Sequence, residues 1–92
     1  MKRAVKIEIT GTVQGIFFRQ FIADNAIKLN LRGFVRNLDN GNVEIITEGE
    51  TNDILKMIEL CKQGPKNSQI KNVKVEERKY EGDFKEFKIL RF

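Results

Sequence analysis

The sequence predicts an α+β domain, a two-layer sandwich in which two helices cover one face of an antiparallel sheet of four to five strands. Three observations predict it. Residues 4–10 alternate apolar and polar side chains, two later stretches repeat apolar residues at helical spacing, and the elements follow one another as βαββαβ. A chain of 92 residues fits one domain, residues 1–92, and leaves room for only a small core, so function must sit on the surface or in a shallow cleft.

Each element has its own signal. From Ala4 to Thr10, Val5, Ile7 and Ile9 share one face and Lys6, Glu8 and Thr10 the other, which is a half-buried strand. Gly11-Thr12-Val13-Gln14-Gly15 breaks that pattern, and Phe18, Phe21, Ile22, Ala26 and Leu29 then recur as one helical stripe that ends near Asn30. After Gly33, residues 34–37 form a short strand that leads into Leu38-Asp39-Asn40-Gly41. Such a run between extended segments is a hairpin turn, with Gly41 expected at positive φ and residues 42–48 as the partner strand. Thr51, Asn52 and Asp53 are candidate N-caps for a second helix with the stripe Ile54, Met57, Ile58 and Cys61, and Gly64-Pro65 stops it. Strands near 70–78 and 86–92 follow, separated by the polar residues 79–85. The order is that of the split βαβ, or ferredoxin-like, arrangement with a last strand appended.

Composition excludes much chemistry. The chain has no His and a single Cys, so Ser-His-Asp and Cys-His machinery, internal disulfides and thiolate zinc sites cannot be built. Catalysis must run on Arg, Lys, Asn, Gln, carboxylates and backbone amides. The net charge of +4 is diffuse: residues 1–50 carry 7 basic and 6 acidic side chains, residues 51–92 carry 10 and 7. That pattern suits mild steering of an anion and lacks the basic stripe of a nucleic-acid binder. No apolar run approaches a membrane span, the N-terminus does not read as a signal peptide, and a free thiol favours the cytoplasm.

Two short segments stand out. Gln14-Gly15-Ile16-Phe17-Phe18-Arg19 is a glycine-bearing loop that opens a helix, and its successive N–H groups form an anion-binding concavity at the positive end of the helix dipole. Arg19 in the first helical turn is disfavoured by that dipole by roughly 0.3 to 1 kcal/mol, a placement that an anion held between loop and guanidinium would explain. A turn glycine followed by a surface arginine is the plainer reading of this segment alone, and Phe17, Phe18 and Phe21 read as core and loop packing. The second segment is Gly33-Phe34-Val35-Arg36-Asn37. With the second strand antiparallel to the first, its end approaches the loop, which would bring Asn37 near the anion; the alternative is that Asn37 merely precedes a turn. Arg36, Glu44, Glu48 and Glu50 read as solvated charges.

Together these residues carry a resemblance. Gly11-Thr12-Val13-Gln14-Gly15-Ile16-Phe17-Phe18-Arg19, then Gly33-Phe34-Val35-Arg36-Asn37 with Gly41, Val43 and Gly49 at fixed distances, resemble the acylphosphatase family. Gly64-Pro65 and Phe87-Lys88-Ile89 extend the similarity over essentially the whole chain. Ile16 stands where valine is usual. Leu38 stands where many members have threonine, which removes a side-chain hydrogen bond that would help orient Asn37.

The resemblance implies a five-stranded ferredoxin-like sheet and hydrolysis of small acyl phosphates to carboxylate and inorganic phosphate. It implies that Arg19 binds phosphate, that Asn37 positions water, and that the loop from Gln14 through Gly15, Ile16 and Phe17 to Phe18 supplies an amide cradle. It also implies no covalent intermediate, no metal and no cofactor, and a monomer without nucleic-acid or membrane partners. The competing class is an RNA-binding module, favoured by a pI near 9.4 and seven phenylalanines and disfavoured by the absence of an RNP-type aromatic motif. A carbamoyl-transfer maturation enzyme, whose N-terminal domain is similar, is disfavoured because the chain stops at Phe92.

Overall fold

The computed structural model describes residues 1–91. Its elements are β1 (Lys2–Thr12), α1 (Ile16–Lys28), β2 (Arg32–Asn37), β3 (Val43–Glu50), α2 (Thr51–Gln63), β4 (Gln69–Arg78) and β5 (Phe87–Ile89). The last strand is shorter than the expected 86–92, and Phe92 lies outside the described residues. The strands form one sheet in the order β4-β1-β3-β2-β5, and both helices pack on the same face.

Alternation along the strands decides which face is covered. Val5, Ile7 and Ile9 of β1 lie opposite Thr47, Ile45 and Val43 of β3, and these six are fully buried. With Val35 they meet Phe18, Ile22, Ala23 and Ala26 of α1 and Ile54, Met57 and Cys61 of α2. Each large aliphatic side chain removed from water in this way contributes about 1.5 to 3 kcal/mol, so the two helical stripes hold the helices to the sheet. Cys61 belongs to this core. Burial pushes its thiol from an ordinary 9.0 up to about 12. We therefore expect no labelling by a thiol reagent at pH 8 in native buffer and full labelling in denaturant. The thiol's contribution to stability is whole below pH 9 and is lost as pH climbs from there toward 12.

Two expectations about strand direction change. The sheet is mixed, because β5 runs parallel to β2 while every other neighbouring pair is antiparallel. Residues 79–86 carry the chain from one edge of the sheet to the other at the end where β4 finishes, so β5 enters beside the start of β2 and runs the same way. The first two strands are not antiparallel either. Both pair antiparallel with β3, which lies between them, so β1 and β2 run in the same direction. Shared direction brings their C-terminal ends to one edge of the sheet, and this sets Asn37 beside the loop that follows Thr12.

The capping and charge expectations also need correction. Helix α2 is capped by Glu50 without a side-chain bond, and Thr51 instead donates its amide and hydroxyl to the Met1 carbonyl at 2.9 and 2.7 Å. Asn52 and Asp53 are not the cap either; Asp53 lies in the first turn, where its negative charge suits the helix dipole. Glu44 and Glu48 are buried, not solvated. Glu44 pairs with Arg36 at 2.8 Å and Lys6 at 3.6 Å. Glu48 accepts the Glu81 and Gly82 amides at 3.3 and 3.2 Å, because residues 79–86 cross the outer face of the sheet above it. Glu50 is exposed, as expected.

Candidate active site

The loop between β1 and α1 forms because Gly15 takes φ 131°, a conformation L side chains rarely adopt, and turns the chain directly into the helix. A Cβ at Gly15 would meet nothing within 4 Å, so the space before the loop is open. Helix α1 begins with no side-chain cap and no acidic residue in its first turn. Its first amides are left free and its dipole uncompensated, while Arg19 adds a positive charge to the positive end.

Across the sheet edge, the hairpin turn is built as the sequence suggests. Leu38 donates to the Asn42 carbonyl at 2.8 Å, Gly41 donates to the Leu38 carbonyl at 3.1 Å, and Gly41 has φ 92°. Asn37, the last residue of β2, pairs with Val43.

A cleft of about 500 Å³ lies between loop and hairpin, lined by Gln14, Arg19, Asn37, Leu38, Asp39, Leu90 and Arg91. Three of the residues singled out in the sequence therefore meet in one place. Within the cleft, Arg19 Nε and Asn37 Oδ1 are buried and have no hydrogen-bond partner, and they are the only such side-chain atoms among the described residues. Buried polar groups are normally paired, and each orphan costs about 1 to 3 kcal/mol. One orphan is a donor and the other an acceptor, so the pair can serve one hydrogen-bond acceptor and one proton-bearing group.

The remaining loop residues separate by role. The Gln14 side chain donates to the Leu38 and Asn42 carbonyls at 3.2 and 3.4 Å, tying the loop to the hairpin. The Phe18 side chain is buried in the core, whereas Ile16 and Phe17 are exposed and line no part of the cleft. Phe17, at 87% exposure, thus departs from the packing role expected of it. Gly15 and Phe18 are also absent from the lining, so of the five residues expected to form the cradle only Gln14 lines the cleft.

Sequence reasoning missed Asp39, Leu90 and Arg91 as cleft residues. Leu90 and Arg91 arrive there through the parallel β2–β5 register, Val35 opposite Ile89, with the Leu90 amide on the Val35 carbonyl at 2.9 Å. Only the neighbouring Phe87-Lys88-Ile89 segment hinted at this. A second depression of about 240 Å³ at the opposite end of the sheet mixes Lys2 and Arg32 with Glu48, Glu50 and Asp53. It contains neither orphaned atom. Among the described residues, no three His, Cys, Asp or Glu side chains gather to hold a metal ion, and no helix is long and apolar enough to cross a membrane.

The family model described as acylphosphatase matches residues 5–89. The chain belongs to the acylphosphatase family. An acylphosphatase of Geotalea uraniireducens is 38% identical over 89 residues, 97% of this chain and 98% of that protein. Among solved structures, an acylphosphatase from Coxiella burnetii superposes with a TM-score of 0.90 at 34% identity, over 97% of this chain and 93% of the other. The acylphosphatase from Bacillus subtilis gives the same TM-score and identity over 98% and 99%. Acylphosphatase membership makes the protein a hydrolase, and the ferredoxin-like fold is that of its structural neighbours.

Proposed function

We propose that the protein hydrolyses the carboxyl–phosphate bond of small acyl phosphates in the cytoplasm, as a monomer, with Arg19 and the Gln14 to Phe18 amides binding the phosphoryl group and Asn37 positioning the attacking water. What supports this is the pair of buried, partnerless atoms in one cleft. Arg19 Nε is a donor waiting for a phosphoryl oxygen, and Asn37 Oδ1 is an acceptor waiting for a water proton. The guanidinium fork and loop amides hold the equatorial oxygens, and the uncompensated N-terminus of α1 adds its partial positive charge.

The leaving group explains why so little else is needed. A carboxylate, whose conjugate acid titrates near a pKa of about 4, departs without a general acid. In a loose phosphoryl-transfer transition state the water is hardly deprotonated early on, so positioning and charge stabilisation carry the reaction. As the P–O bond to water forms, the bond to the carboxylate breaks, and the water's proton passes to a phosphoryl oxygen whose pKa is about 6. Asn37, an amide, is too weakly basic to take that proton. Water attacks phosphorus directly, so no covalent phosphoenzyme forms, and the scheme calls on neither a metal nor a cofactor.

No nucleic-acid partner belongs to this reading. Phe34, on the outer sheet face, is occupied by an edge-on contact with Phe84 at 6.0 Å. Phosphate release from acetyl phosphate in chelator-treated buffer tests the proposal, with inorganic phosphate as competitive inhibitor and inversion of configuration at a chiral phosphoryl group as the expected results. Retention would mean a covalent intermediate. No turnover, beside salt-dependent RNA binding in parallel, would replace the reading altogether.

A further inference from the structure

Glu8 occupies an electrostatically poor position. It sits directly opposite Glu44 across the β1–β3 pair, and like charges facing each other on neighbouring strands repel. Glu44 is compensated by Lys6 and Arg36. Glu8 is not: Lys74, its neighbour on β4, pairs with Glu76 at 3.3 Å instead. What Glu8 does hold is the side chain of Asn42, whose Nδ2 donates to Glu8 Oε2 at 2.6 Å.

Asn42 closes the turn that follows Asn37. Its carbonyl accepts the Leu38 amide at 2.8 Å and the Gln14 side chain at 3.4 Å, and its own amide donates to Asn40 Oδ1 at 3.0 Å. The backbone on both sides of the turn, and the tie from the phosphate loop, therefore converge on one residue whose side chain is anchored in the sheet by Glu8. Leu38 has no side-chain donor or acceptor to orient its neighbour, so orientation must come from the hairpin as a whole. We propose that Glu8 is a positioning residue of the reaction: through Asn42 it fixes the hairpin so that Asn37 presents Oδ1 to the attacking water. The role rests on the assignment of Asn37 above.

Steady-state hydrolysis of acetyl phosphate tests it, with inhibition by inorganic phosphate as a separate measure of the Arg19 side of the cleft. Glu8→Ala should lower kcat about tenfold while the phosphate inhibition constant stays within about twofold. Glu8→Gln keeps an acceptor oxygen for Asn42 and should bring kcat back to within about threefold of the parent. Asn42→Ala should reproduce Glu8→Ala, and the double variant should be no slower than either alone, since residues acting through one contact are not additive.

Unchanged kcat in Glu8→Ala, equal impairment of Glu8→Gln and Glu8→Ala, or parallel changes in kcat and phosphate inhibition would each overturn the inference. If Glu8→Ala melts below the assay temperature, Glu8→Gln and Asn42→Ala still decide, through kcat against phosphate inhibition. Failure of the underlying assignment looks different, because Asn37→Ala would then turn over like the parent. An impaired Asn37→Ala beside an unimpaired Glu8→Ala rejects only the role of Glu8.

Discussion

Arg19→Lys should lose about 10³-fold in kcat/KM for acetyl phosphate, although the charge is retained. The reason is geometric. The buried orphan on Arg19 is Nε, deep on the side chain, and lysine has only methylene at that depth. Its ammonium can offer a point charge but neither the planar fork nor a donor at the buried position. The loss should appear in phosphate inhibition as well as in turnover, because the proposed role has Arg19 contacting the phosphoryl group in ground and transition states alike. Turnover within about threefold of the parent would remove the guanidinium from the mechanism.

Asn37→Ala separates the two halves of the site. Its kcat should fall by about 10² to 10⁴ with phosphate inhibition little changed, since the role proposed for the residue is on water and not on the anion. Stability should move the other way. Asn37 Oδ1 has no partner in the folded protein, so deleting it relieves an unpaired buried acceptor and should leave the unfolding free energy equal to the parent's or higher by about 1 kcal/mol. Denaturant titration alongside the kinetics checks both statements. A slow variant that is also markedly less stable would mark Asn37 as a structural residue.

Arg19 is legible in the sequence because a cation in the first turn of a helix is out of place, and a misplaced charge asks for a partner. Gly41 is legible because a hairpin turn needs positive φ, which the structure gives it. Asn37 is harder to read, since a polar residue before a turn is ordinary. Its position depends on β1 and β2 running in the same direction, and that follows only from the placement of β3 between them. Leu90, Arg91 and the buried state of Glu44 and Glu48 leave no trace in periodicity. They depend on where residues 79–86 cross the sheet and on the parallel entry of β5, which are long-range facts. The Glu8–Asn42 bond is of the same kind, joining residues 34 positions apart.

The interior position of β1, between β4 and β3, governs how the chain can fold. As the first strand synthesised, it waits for β3 on one side and β4 on the other, and its pairing with β4 is complete only once residue 78 exists. No N-terminal fragment ending before residue 69 can flank β1 on both sides, so such a fragment would expose it as an edge. Closing these long loops before any reward from burial slows folding, as in other sheets built from distant segments. The domain is committed late: the strand carrying Val5, Ile7 and Ile9 is the first made and among the last secured.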